Sequence, residues 1–559
     1  MAAAAPAPAT LFTNGRVFLS GVEPGTNAGL HRQPIFAECI LIRGSQIEHV
    51  GSTSDEPITA ALAAGSSAVA VHDLQGKTVL PGFIDGHMHL MLLGQALNKL
   101  DLGRCKSLDG IRSTIREYAA ANPDAPRILC RGYMHQMTPN GVRASDLDGL
   151  DGEKNRPILV DSKDLHSTWC NTAGIADLGA EAWADVPGGI IERDADGRLT
   201  GVFSEAANIT YVWPYLARVA SVDERTTAIK AAVNAYHEAG YTGLIDMAMD
   251  EGSWEALQTL RAAEGTIPMR IAAYWLVKPC ATSEETLAQV ERAVELAREY
   301  NASSSPDCRI VGIKVICDGI IDACTAGLSE PYSHNGHLEV PLWTAAQLEP
   351  VVRRADEAGL QVALHAIGDA TVTMVVDVLS KYASPNRRPR VEHLELAGEQ
   401  DATRLGKNRI TASIQPVHAD PAILRAWPRL LGEHRCGRAF AYREFADLGA
   451  PLALGSDAPT APHAPLGNIY VGTTRKSYRE PDMQTTVNPH FALGLCEAVA
   501  AATEGAAYSC FDDHRIGSLK RGHKADFVIV DMEWDKEKLM AAKVTQTWFD
   551  GKRVWPAHK

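Results

Sequence analysis

The residues best placed to do chemistry sit at the ends of apolar runs. VLPGFIDGHMH closes on His87 and His89, and a spacing of two in a strand puts both imidazoles on one face. QVALHAIGD carries His365, RVEHLE carries His393 and PLALGSDAP carries Asp457, while GIKVICDG holds Lys314 inside an otherwise apolar stretch. Imidazole nitrogen and carboxylate oxygen are the ligands that zinc prefers, and a coordination position left open marks such a site as catalytic. Each residue also has a plainer reading. An H-x-H pair arises by chance, and a single histidine at a strand end is commonly a satisfied structural one. The Lys314 stem can pack while its amine reaches solvent, and Asp457 can cap the helix after it. Four imidazoles and one carboxylate arriving at separate strand ends favour one shared site over separate coincidences.

Such a site needs a scaffold that brings strand ends together. RILCRGY, PILVDS, GLIDMA, RIAAYWLV, RIVGIKVIC, QVALHAI and PLALGSD read as buried strands, and amphipathic stretches such as TTAIKAAVNAYHEAG and LAQVERAVELAREY lie among them. Repeated alternation of this kind predicts parallel βα units and an α/β fold, a (β/α)8 TIM-like barrel whose strand ends meet at one mouth. The strand candidates exceed eight, so part of the region 127–205 is expected in an insertion beside the barrel, with a hairpin in DVPGGIIERDADGRLTG. The two ends of the chain carry short β-type runs broken by Asn-Gly and Asp-Gly turns. Neither end has enough core alone. Residues 1–79 and 515–559 are therefore expected to form one small β-sandwich, with the hydrolase barrel at 80–514.

Composition narrows the function classes. Hydrophobic residues at 45% and charged residues at 22% exclude a mainly disordered chain. A net charge of -14 speaks against a nucleic-acid footprint. The eleven cysteines form no C-x-x-C pair, which argues for reduced thiols rather than a disulfide framework. The segment MAAAAPAPATLF lacks the charged start of a signal peptide, and no apolar run is long enough to cross a membrane. The expectation is a cytoplasmic protein, a homodimer among the open possibilities, acting on a small molecule.

The stretches LPGFIDGHMHL, GIKVICDG with TAGLSEPY, HAIGDA, RVEHLE, SIQPVH, LGSDAP and GSLKRGHKADFVIVD together resemble the amidohydrolase superfamily. The resemblance is to the amidohydrolase 3 group, which includes N-substituted formamide deformylase-like and YtcJ-like proteins. It implies two divalent metal ions, zinc in expectation. His87 and His89 would hold one, His365 and His393 the other, with Asp457 beside the first and Lys314 bridging both as a carbamate formed with CO2. Carboxylation turns an ammonium that two cations would repel into a bridging anion. Asp457 would be the catalytic proton carrier, with His166 a donor to the developing oxyanion. Trp169, Glu205 and His418 are the substrate-side candidates, Glu205 also being an alternative acidic ligand. Asp85, Asp318 and Glu392 are candidates for orienting the histidines.

The expected reaction is hydrolysis of an amide-type C–N bond in an N-acyl or N-formyl compound by metal-activated hydroxide. A cyclic-amide hydrolase or deaminase on the same scaffold is the alternative, and a non-catalytic binding or regulatory relative is a third. Two family positions differ: Asp322-Ala323-Cys324-Thr325 stands where an arginine is common, and Gly368-Asp369-Ala370 where GDR is common. The resemblance therefore carries fold and metal chemistry but no particular substrate.

Overall fold

The computed structural model describes residues 9–19, 33–65, 68–163, 167–186, 189–205 and 207–557. Its central sheet has eight strands: β1 (Phe83–Met88), β2 (Tyr241–Met249), β3 (Arg270–Val277), β4 (Cys308–Ile316), β5 (Gln361–Ala366), β6 (Arg390–His393), β7 (Thr411–Ile414) and β8 (Leu452–Leu454). Each pairs in parallel with the next in chain order, the arrangement of a (β/α)8 barrel. Strands covered on both faces read as continuous apolar runs rather than alternating ones, and β1, β6 and β7 are buried along their whole length.

The barrel closes just beyond the ends of β8 and β1. The Asp457 N–H donates to the His87 carbonyl at 2.7 Å, and the His89 N–H donates to the Ala458 carbonyl at 2.9 Å. Two glycines permit this approach. A Cβ at Gly86 would lie 2.5 Å from the Leu454 carbonyl oxygen, and one at Gly455 would lie 2.4 Å from the His87 nitrogen. Any side chain at either position would push the seam apart.

Helices alternate with the strands, among them α1 (Ser283–Glu299), α2 (Ala345–Glu357), α3 (Asp369–Tyr382) and α4 (Glu399–Lys407). Thr282 with Glu285 and Thr344 with Gln347 form capping boxes that start α1 and α2. The barrel floor is plugged by Ala506, Ala507, Cys510 and Ile516, packed on Ile84, Met247, Tyr274 and Ala363.

The chain divides into two units. One comprises residues 1–90, 233–251 and 264–559, and so holds the barrel strands and both ends of the chain. Its terminal strands form a four-stranded and a six-stranded sheet, and in the latter Thr78–Pro81 pairs antiparallel with Phe527–Asp531. Phe12, Ile42, Val79, Phe527 and Trp548 share one buried cluster with strands of both sheets. The other unit, residues 91–232 and 252–263, carries its own six-stranded sheet. The runs RILCRGY and PILVDS lie in that sheet as Ile128–Tyr133 and Ile158–Ser162, and Gly189–Arg193 pairs antiparallel with Leu199–Glu205 as the predicted hairpin. No disulfide joins any of the eleven cysteines. Among the described residues no helix is long and apolar enough to cross a membrane.

Candidate functional site

The ends of β1, β4, β5, β6 and β8 deliver His87, Lys314, His365, His393 and Asp457 to one mouth, with His89 one residue past β1. Parallel register sets their heights: His365 is paired with Glu392 and Ile316, and Ala366 is paired with His393. His393 and Asp457 have φ of 77° and 57°, the left-handed region that non-glycine residues seldom occupy. Strain of this kind persists where surrounding structure over-determines it, and it gathers at functional sites.

The side chains converge. Ligand-type atoms of His87, His393 and Asp457, all buried, lie within 4.8 Å of one another. Asp457 Oδ1 is 3.0 Å from His89 Nε2 and 3.4 Å from His87 Nε2. The His365 and His393 rings are 4.3 Å apart, and His365 Nε2 is 3.4 Å from Asp318 Oδ1. Lys314 is only 2% exposed.

Carboxylates below and beside these side chains fix their orientation. Arg390, fully buried, donates to Glu392 from Nε at 2.8 Å and from Nη2 at 3.2 Å, and it also holds the Gly86 carbonyl and the hydroxyls of Ser413 and Ser509. Glu392 gripped in this way is an acceptor, so His87 Nδ1, 2.7 Å from its Oε2, carries the proton. The Nε2 lone pair of His87 then faces Asp457 Oδ1, acceptor against acceptor. Asp85 receives the Ser456 N–H and hydroxyl, the Tyr236 hydroxyl and the His87 N–H, which ties β1 to the end of β8. Asp318 receives the N–H groups of Gly327, Ile367 and Gly368, which fixes the loop after β5 beside the loop after β4.

Electrostatics follow from this burial. Burial, helped by the Lys314 cation, pushes His87 down to about 3, so its imidazole is neutral. Burial and the neighbouring histidines hold His393 well below its ordinary value. Lys314 is lowered by burial to about 8 against the pull of Glu392 and Asp457. Burial alone would raise Asp457, but His89, His87 and His393 hold it well below the usual carboxylate range. The outcome is neutral imidazoles at His87 and His393 beside an ionised carboxylate.

Two buried atoms in this set make no well-directed hydrogen bond, His393 Nδ1 and Asp457 Oδ1, the latter meeting His89 Nε2 only as an ion pair at 3.0 Å. Buried polar atoms are otherwise almost always satisfied. Lone pairs that face one another without a donor between them fit a cation, and the donor set of imidazoles and a carboxylate suits a borderline divalent ion such as zinc.

Other predicted residues fall elsewhere. His418 lies in the turn after β7, with Nδ1 3.1 Å from Glu395 Oε1 and Nε2 3.5 Å from Asp457 Oδ2. Burial works against a charge on His418, and Glu395 with Asp457 more than offsets it. Trp169 is 1% exposed within an apolar core of the insertion unit, and its indole N–H is taken by the Arg143 carbonyl. Its side chain packs as core there rather than lining an opening. Glu205 ends the strand Leu199–Glu205; its side chain, like His166, lies outside the described residues. Arg390, Glu395 and Asn468 escaped the sequence reading. Arg390 and Glu392 did carry a signal, two charged residues at a spacing of two in a strand whose neighbours are apolar.

A family model described as the amidohydrolase family matches residues 70–555. The chain is 29% identical over 563 residues to Protein LONG AFTER FAR-RED 3 of Arabidopsis thaliana, covering 98% of this chain and 91% of that protein. It is 24% identical over 545 residues to N-substituted formamide deformylase of Arthrobacter pascens, covering 92% and 94%. An uncharacterized metal-dependent hydrolase of Pyrococcus furiosus superposes with a TM-score of 0.75 at 23% identity, covering 95% of this chain and 100% of that one.

Proposed function

This chain belongs to the amidohydrolase family, and on that premise we propose that it hydrolyses an amide-type C–N bond, with an N-acyl or N-formyl small molecule as substrate. One observation carries the reading: His87, His393 and Asp457 converge in a buried mouth with two of their atoms making no well-directed hydrogen bond. His87, His89 and Asp457 would hold one divalent ion, zinc in our reading, and His365 and His393 a second. Lys314 would bridge them as a carbamate, its nitrogen bonding the carbon of CO2 and releasing a proton; its burial on β4 beside the cluster supports this role. Bound there, the metal pair supplies a Lewis acid that polarises the scissile carbonyl and makes water nucleophilic near neutral pH.

The protein's own groups do the rest. Glu392 keeps the His87 ring in the tautomer whose Nε2 faces inward. Asp457 takes a proton from the attacking water and returns it to the departing nitrogen, as a carboxylate within hydrogen-bond reach can. His418 lines the same side of Asp457 and contacts the substrate. The likeness to a formamide deformylase supports the bond type.

The test is a screen of metal-reconstituted protein against N-formyl, N-acyl and cyclic amides, with His87→Ala as the blank. Turnover of an acyclic amide that the blank lacks is the expected result. Turnover of cyclic amides alone, or release of ammonia from a ring, would replace this reading with the cyclic-amide hydrolase or deaminase. Equal rates in protein and blank would refute a hydrolytic role for the site.

A further inference from the structure

The loop after β4, residues 317–344, carries an apolar surface beside the mouth. Among the described residues, five exposed large apolar side chains fall on this loop and the strand end before it: Ile316, Ile320, Leu338, Val340 and Leu342. Single exposed aliphatic residues are ordinary on a protein surface, whereas a group of them marks a face that meets a ligand or a partner.

The position of Ile316 distinguishes these. It is the last residue of β4, two positions beyond Lys314, so strand alternation puts both side chains on the inner face of the barrel. Val315 between them points the other way and is buried. In the register of β4 with β5, Ile316 is paired with His365, which sets the two side chains next to each other at one height. Ile316 is nevertheless 41% exposed. It therefore looks into the opening that His365 borders. The backbone around it is fixed: the Ile316 carbonyl accepts the Trp343 indole N–H at 3.0 Å, and the Cys317 carbonyl accepts the Leu342 N–H at 2.7 Å. The second bond brings Leu342 to the end of β4. On the loop's outgoing limb the Gly319 carbonyl lies 3.4 Å from His365 Nε2, and Ile320 follows directly.

Strands β4 and β8 are four apart in a ring of eight, hence on opposite sides of the mouth. In the hydrolytic reading above, Asp457, just past β8, returns a proton to the departing nitrogen. The nitrogen then lies toward β8, and the substituent on the carbonyl carbon is directed across the mouth toward β4.

Resting on that reading, we propose that Ile316, with Ile320 and Leu342 beside it, forms the wall that seats an apolar acyl chain. The substrate class is then an N-acyl amide with an alkyl or aryl acyl group rather than an N-formyl compound. A formyl hydrogen leaves the wall in water, whereas each methylene laid on it removes apolar surface from water on both sides. The three side chains offer no hydrogen-bonding group, so a hydroxyl or carboxylate on the chain would lose hydration without compensation.

The experiment uses the full-length, zinc-loaded protein and the 4-nitroanilides of formate, acetate, butyrate and hexanoate, whose common leaving amine is read by its colour. Relative to hydroxide-catalysed hydrolysis of the same compounds, kcat/KM should rise roughly threefold per methylene. Hexanohydroxamate should bind more tightly than acetohydroxamate in calorimetry. In Ile316→Ser the hexanoyl-to-acetyl ratio of kcat/KM should fall about tenfold, with smaller falls in Ile320→Ser and Leu342→Ser. The wild-type series and the hydroxamate comparison need no variant, so they decide the proposal even where a variant fails to fold.

Rates and hydroxamate affinities that ignore acyl length in the wild type would overturn the proposal, as would an unchanged ratio in folded Ile316→Ser. A steeper slope in a series of N-alkyl acetamides would place the chain on the nitrogen side and overturn the acyl assignment. A dimer that Leu342→Ser dissociates, with the length dependence unaltered, would give the surface to a second copy of the chain. Failure of the parent reading looks different: the zinc-loaded wild type would turn over none of these amides.

Discussion

Two buried polar layers lie one above the other in this barrel, and they are built differently. In the lower layer Arg390, Glu392, Tyr274, Gln361, Ser413 and Ser509 satisfy one another; Tyr274 donates to Gln361, and no side-chain atom of the six is left without a partner. In the upper layer His393 Nδ1 and Asp457 Oδ1 are left open. Polar groups buried and fully paired hold geometry; polar groups buried and unpaired lose free energy unless something outside the chain completes them. The contact between the layers is the bond from His87 to Glu392, through which the satisfied layer orients the open one.

Breaking each layer should give a different signature. The largest expected effect is in the upper layer: His393→Asn or Asp457→Asn should lower kcat/KM by more than about a hundredfold, beyond what loss of an outer support produces, with little change in melting temperature. An unfolded variant would instead place these residues with the structural layer. In the lower layer Arg390→Met leaves the Glu392 carboxylate buried and unpaired, which should destabilise by about 3–5 kcal/mol in denaturant unfolding. Glu392→Gln should mainly weaken metal affinity, by about 10–100-fold, because His87 loses its tautomer control. Wild-type affinity in Glu392→Gln would sever the proposed link between the layers.

A smaller test compares histidines. His237 lies outside the mouth, only 4% exposed, with Nε2 2.7 Å from the Pro268 carbonyl, and burial lowers its pKa from the usual value near 6.5. A group whose folded pKa is depressed contributes stability above its unfolded pKa and loses it as pH falls. Unfolding free energy should therefore decline below about pH 6.5, by at most about 1.4 kcal/mol per pH unit for one proton. His237→Gln should flatten that decline without altering hydrolysis at neutral pH. The exposed Arg353–Glu349 pair should matter least, with Arg353→Ala leaving the melting temperature close to the wild-type value.

How much of this was legible follows from the range of each interaction. His87 and His89 stood out because two histidines at strand spacing need only local pattern to be noticed. Lys314, His365, His393 and Asp457 were equally visible at the ends of apolar runs, and the barrel followed from the alternation that contained them. Glu395 was not legible as the partner of His418, because a turn after β7 meets a residue after β6 only once parallel register has set both heights. Asn468 was hidden for the same reason: it joins Val417 to Gly455 across the chain. Trp169 misled because an aromatic near a family-like stretch reads alike whether it lines a pocket or fills a core. The strands of 127–205 look like barrel strands in composition, and only pairing assigns them to the separate sheet.

A metal centre in the open upper layer must hold its ions in solution. The most direct measurement is metal content by mass spectrometry after equilibration with buffered zinc, on wild type and on folded His393→Asn. About two ions per wild-type chain are expected, with loss of at least one in the variant. A wild-type chain that retains none, or a variant that retains as many as the wild type, would contradict it.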